Sequence, residues 1–147
     1  MFGTTEQQRS RAQAAFHRLH NQATRRQLWS RITRQRQELL SLETVTTANH
    51  VHNASHRGVQ SVPVEKIRGS EGRTHDFDAT FRPLKAESLE RWVNIAVAHE
   101  RDELLPAVDL IQVDDLYFVR DGHHRISVAR MIGQREIDAN VVVWSTN

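Results

Sequence analysis

Leu116-Tyr117-Phe118-Val119-Arg120-Asp121-Gly122-His123-His124-Arg125-Ile126-Ser127-Val128-Ala129-Arg130 is the stretch on which the reading of this chain turns. Its first four residues form a continuous apolar run, the pattern of a buried strand, and Ile126 to Ile132 carries apolar residues at helical spacing. Asp121-Gly122 therefore falls where a strand ends and a helix begins. The first N–H groups of a helix have no intrahelical acceptor, and the helix dipole places partial positive charge beside them. A corner of this kind binds anions, phosphate above all. Gly122 lets the backbone approach closely, Arg125 offers a planar fork of donors, and His123 and His124 add ring donors that strengthen on protonation. The plainer reading is an N-capped helix, with Asp121 as cap and a solvated polar first turn. Both readings stand at this point.

Working outward, Gly133 sits where a helix C-cap is expected, and Ile137 to Trp144 reads as a last strand. On the other side, Val108 to Gln112 reads as a strand that Asp114-Asp115 turns back into Leu116 to Arg120, an antiparallel hairpin. Upstream, Glu87 to His99 is the clearest helix, with Leu89, Trp92, Val93, Ala96 and Val97 on one face. Ser61-Val62-Pro63-Val64 reads as a short strand, with Pro63 arguing for an edge position or a strand start. Gly69-Ser70-Glu71-Gly72-Arg73 is a turn that resembles a phosphate-cradling loop only loosely, because it lacks the Lys-Ser/Thr of a P-loop. Phe77 and Phe81 are placed as core anchors for the loop that follows. The order predicts a mixed α/β body.

A helical arm precedes it. Thr4 or Thr5 caps a helix running to about Gln37, with an apolar stripe at Ala12, Phe16, Leu19 and Ala23, then Leu28, Ile32 and Leu39. The spacing slips by one after Ala23, which predicts a break near Asn21 and Thr24. The stripe is too narrow to form a core alone, so the arm packs on the body or on a second copy. Residues 1–60 hold nine Arg and no Lys against three Glu, a balance of +6, and the remainder balances at −4. A basic arm on an acidic body points to a polyanionic partner, to docking on an acidic face of its own kind, or to a solvated helix. Arg25, Arg26, Arg31, Arg34 and Arg36 cluster where DNA could be contacted. The expected division is an arm over 1–45, a polar linker over 46–59 and the α/β body over 60–147. His50, His52 and His56 in the linker have ligand spacing without an accompanying carboxylate, and no metal site is assigned to them. With no cysteine, disulfides, thiolate metal sites and thiol redox chemistry are excluded. No run is long and apolar enough to span a membrane, and no signal-peptide pattern opens the chain. The expectation is a soluble, cytoplasmic protein.

Val62-Pro63-Val64-Glu65-Lys66-Ile67, Gly72-Arg73, Asp76-Phe77, Leu105-Pro106-Ala107-Val108 and Tyr117 to Arg130 together resemble the ParB N-terminal-like, or ParB/sulfiredoxin, superfamily. The likeness is to the members with an Asp-Gly-His-His-Arg motif, such as partition ParB N-domains and free serine kinases, and it covers about residues 60–144. It implies a small mixed sheet with helices, and a nucleotide (ATP, ADP or CTP) with Mg2+ whose phosphates lie at Gly122, His123, His124 and Arg125, with Arg73 beside them. Sulfiredoxin activity needs a catalytic cysteine and is excluded. Partition ParB proteins continue into a DNA-reading helix-turn-helix, and the chain stops at Asn147, so a complete CTP-gated DNA clamp is not expected. Likeness to the serine kinases places Glu71 as the base that takes a hydroxyl proton; the alternative is a turn residue paired with Arg73 or Arg82. The functional expectation is a nucleotide-phosphate-binding protein, as a phosphotransferase or nucleotidase. The alternative is a nucleotide-regulated DNA- or partner-binding module, with the arm contacting DNA or driving dimerisation.

Overall fold

The structure is a computed structural model that describes residues 3–34, 38–49 and 53–145. Among the described residues there are four α-helices and one six-stranded sheet. The order is α1 (Thr5–Thr33), β1 (Leu40–Ser41), α2 (Leu42–Asn49), β2 (Asn53–Pro63), β3 (Ile67–Ser70), α3 (Leu89–Glu100), β4 (Val108–Val113), β5 (Leu116–Asp121), α4 (His123–Met131) and β6 (Glu136–Ser145). The sheet runs β1-β3-β5-β4-β6-β2. β1, β3 and β5 are mutually parallel, as are β4 and β6; the β4–β5 hairpin and the β2–β6 pair are antiparallel. The fold is mixed α/β, as the element order predicts.

Alternation along the strands puts apolar side chains on both faces of the sheet. Val108, Leu110, Tyr117 and Val119 join Ile126 of α4 with Phe77 and Phe81 on one face. Ile111, Val113 and Phe118 meet Leu42 and Val45 of α2 on the other. A helical layer closes the first face, where Phe16 of α1, Trp92 and Val93 of α3 and Val128 of α4 interlock. Phe77 and Phe81 are buried, as expected of loop anchors.

Three expectations are corrected. The described parts of segment 46–59 are not a linker: 46–49 end α2 and 53–59 form most of β2, which pairs with β6 from Asn53↔Ser145 to Pro63↔Glu136, while 50–52 lie outside the described residues. The side chains of Asn53 to Val59 are exposed, so no apolar alternation marks this strand; main-chain pairing at a sheet edge holds it. The arm does not end at residue 45 either, since β1 joins the body's sheet beside β3. Finally, α1 is one unbroken helix, opened by a capping box in which Gln7 N donates to Thr4 Oγ1 and Thr4 N to Gln7 Oε1. The slip after Ala23 marks a change of surroundings. Ala23 is fully buried, whereas Arg25 to Trp29 and Arg31 to Arg34 are exposed. No helix among the described residues is long and apolar enough to cross a membrane.

Candidate functional site

The strand-to-helix corner lies where the sequence puts it, and Gly122 makes it possible. Its φ of +108° is open to glycine, and a Cβ there would come within 2.5 Å of Val108 Cγ1. Gly122 is itself the N-cap, and no side chain caps α4. Asp121 is not the cap; its Oδ2 accepts from Arg125 Nη2 at 3.2 Å. The first intrahelical bond runs from Ile126 N to Gly122 O, which leaves the N–H groups of His123, His124 and Arg125 ahead of it.

His123 turns inward. Its Nε2 lies 2.7 Å from Ser70 Oγ, and that oxygen already accepts from Gly72 N and Arg73 N. With its lone pairs so engaged, the Ser70 hydroxyl has its hydrogen left to donate, which makes His123 Nε2 the acceptor. The ring also stacks on Phe77, at 5.8 Å between centroids. This chain of contacts fixes the turn after β3, and with it Arg73, against the start of α4. His124 meets the same Phe77 edge-on at 5.2 Å between centroids. Its Nε2 is buried and has no hydrogen-bond partner among the described residues.

The His124 side chain lines a cleft of about 320 Å³ together with Arg73, Arg91, Ile95 and the residues Asp121, Gly122, His123 and Arg125. A wider hollow of about 610 Å³ shares Arg73, Arg91, Ile95 and His124 and continues along α3 past Asn94 and Ser88. Arg73 lies at 4.0 Å from Asp76, the limit of an ion pair, and Arg91 has no ion-pair or hydrogen-bond partner among the described residues. Burial comes first in lowering both imidazoles to about 4: His123 is pushed further down by Arg73 and His124, and His124 by Arg91 and Arg73. Smaller upward pulls come from Asp121 and Asp76, respectively. Both rings are therefore neutral at pH 7, in a field that is net positive.

Of the expected phosphate set, Arg73, Gly122, His123 and His124 come together around one cleft. Arg125 borders it too, but its guanidinium donates to the carbonyls of Pro106 and Ala107 as well as to Asp121, and only 14% of its side chain is exposed. It braces the corner against the loop before β4. Glu71 lies apart from the cleft lining: Arg120 Nη2 and Nε donate to its Oε2 at 3.0 and 3.2 Å, and Arg120 sits over the Trp144 ring. The turn partner is thus Arg120, in place of the Arg73 or Arg82 weighed from the sequence. Ser70 and Arg91 were not singled out. Ser70 had a readable signal, a hydroxyl two and three residues before the N–H groups it accepts. Arg91 had none, because the sequence does not say which face of α3 overlooks α4. Of the arm, Arg25, Arg26, Arg31 and Arg34 lie on exposed helix or its cap, and Arg36 is outside the described residues, as are His50 and His52.

No protein-family model matches the chain, and comparison with curated proteins finds no match. Among solved structures the chain is similar to sulfiredoxin from Arabidopsis thaliana, with a TM-score of 0.42 and 21% identity, over 59% of this chain and 86% of that one.

Proposed function

We propose that this chain binds the phosphate groups of a nucleotide (ATP, ADP or CTP) at the start of α4. The observation that carries the reading is His124: a buried ring nitrogen without a partner, beside uncapped helix N–H groups and facing Arg73 and Arg91. A buried polar atom left unpaired costs about 1–3 kcal/mol, and in the tautomer that carries its hydrogen on Nε2 the neutral ring would donate to an anion oxygen that reached it from the cleft. The roles divide by how each group is held. The N–H groups of His123, His124 and Arg125 grip phosphate oxygens, Arg73 and Arg91 neutralise their charge, and Ser70 with His123 keeps the Arg73 turn in place. Arg125 acts as a brace. The hollow along α3 leaves room for the rest of the nucleotide.

Magnesium fits this reading as a companion of the ligand. It binds through phosphate oxygens, water and one or two carboxylates, and Asp76, Glu87 and Glu90 border the hollow. Among the described residues no group of three metal-ligating side chains exists, so the ion's ligands would come mainly from the nucleotide. Turnover, as a phosphotransferase or nucleotidase, is the stronger form of the proposal. With Glu71 as base, its ion pair to Arg120 has to open first, and Glu71→Gln then abolishes turnover while leaving affinity intact.

Titration calorimetry of ATP, ADP and CTP with Mg2+ tests the binding. Arg91→Ala and Arg73→Ala are each expected to weaken it by about 1.5–3 kcal/mol, the scale of a hydrogen bond to a charged group, without lowering the melting temperature. Arg125→Ala is expected to lower the melting temperature. A parent protein that binds none of the three nucleotides defeats the proposal.

A further inference from the structure

Beyond Ala23, most residues of α1 are exposed. Residues 24–33 extend it by about 15 Å, and Leu28, Trp29 and Ile32 are 61%, 63% and 69% exposed along one side. Arg25, Arg26, Arg31 and Arg34 surround them, with no acidic residue between 24 and 34 and no ion-pair partner among the described residues. Large apolar side chains in water on a cationic helix end call for a cover that is apolar at its centre and acidic at its rim.

The same chain carries such a surface. A cavity of about 280 Å³ is floored by Ile95, Leu105 and Ile137 and rimmed by Asp102, Glu103 and Asp138, none of which has an ion-pair partner among the described residues. Leu104 beside it is fully exposed. Arg125 also reaches this wall, but its charge is matched by Asp121. The cavity lies at the lower edge of small-ligand sites, about 300–1,000 Å³, a size suited to inserted side chains.

The two surfaces cannot meet within one molecule. Arg101, next to the acidic rim, donates to Gln8 Oε1 at 2.7 Å and to Thr5 Oγ1, which ties the rim to the first turn of α1. Trp29 lies 24 residues further along the same unbroken helix, about 36 Å away at 1.5 Å per residue. A rigid helix holds the two at opposite ends. We infer that the overhanging end of α1 inserts into the acid-rimmed cavity of a second copy of this chain, head to tail, so that copies assemble into a ring or an open chain. A symmetric contact of overhang on overhang would bring four arginines against four, a like-charge arrangement that opposes association.

Sedimentation velocity over a concentration series tests this with two variants that change exposed residues only. Trp29→Ser with Ile32→Ser removes the insert, and Glu103→Lys with Asp138→Lys reverses charge on the rim. The parent is expected to grow in mass with concentration, and each variant to stay at the mass of one chain. Mixed in equal amounts, the variants are expected to form a particle of twice that mass and nothing larger, because the intact overhang of one fits the intact cavity of the other. A parent that remains a monomer overturns the inference, including one that shifts only on adding duplex DNA or anionic vesicles. So does a rim variant that still assembles, as a symmetric overhang contact would allow, and so does a mixture that stays monomeric.

Discussion

At the start of α4, Arg125 is largely buried and gives its donors to Pro106, Ala107 and Asp121, whereas at the end of α1 Arg25, Arg26, Arg31 and Arg34 stand in water among exposed apolar side chains. Both regions are arginine-rich, and both read from sequence as places for an anion. In the corner, each polar group is either spent on the fold or fixed toward a cleft: Arg125 is spent, and His124 is fixed without a partner. In the overhang no hydrogen bond or ion pair holds those guanidinium groups among the described residues, and the side chains are exposed. A high density of cationic residues thus marks two different situations, and the partners each guanidinium already has tell them apart.

The largest expected effect breaks the corner side of this contrast. Gly122→Ala combines a positive φ with a Cβ driven to 2.5 Å from Val108 Cγ1. Strain of about 1–3 kcal/mol for the backbone and a similar amount for overpacking predict a loss of about 4 kcal/mol, read as a shift in the urea midpoint. A loss under about 1 kcal/mol would show that the strand-to-helix turn is softer than its geometry implies.

Acidification sharpens the same contrast. His123 and His124 are held at about 4 in the folded chain against 6.5 for a free imidazole. Between these values the unfolded chain takes up protons that the folded chain refuses. Stability is therefore full above pH 6.5, falls as the pH drops toward 4, and levels off below that with respect to these two groups. The expected loss is on the order of 3 kcal/mol for each histidine, not additive because each ring feels the other. His124→Gln should flatten this pH dependence. A profile that is flat between pH 7 and 4.5 in the parent would contradict the burial of both rings.

How much of this was visible beforehand follows the same division between periodic burial and everything else. The β4–β5 hairpin, α3 and α4 were legible because their apolar residues recur with the period of the element, as in Leu89, Trp92, Val93 and Val97. The corner was legible because Asp121-Gly122 separates a strand pattern from a helix pattern. β2 was not, since Asn53 to Val59 bury almost nothing and gain their order from pairing with β6. The site was half legible. Local chemistry pointed to Gly122, His123 and His124, but the assignment of Arg125 as brace and of Arg91 as facing cation depends on contacts across roughly 20 to 35 positions of chain. Glu71 shows the same limit, since its partner Arg120 is 49 positions away.

The smallest expected effect concerns the overhang. Arg25→Ala with Arg26→Ala removes two exposed cations that have no hydrogen bond or ion pair among the described residues, in a helix that alanine favours. The melting temperature of the monomer should change by the equivalent of no more than about 0.5 kcal/mol, and nucleotide affinity should be the same as in the parent. The near-zero result is informative because the corresponding change at the corner is not near zero: Arg125→Ala strips two backbone carbonyls and a carboxylate of their donor at once. Should the paired overhang substitutions instead destabilise the monomer or weaken nucleotide binding, the end of α1 would have to lie against the body in solution, and the contrast between a spent and an unspent set of arginines would disappear.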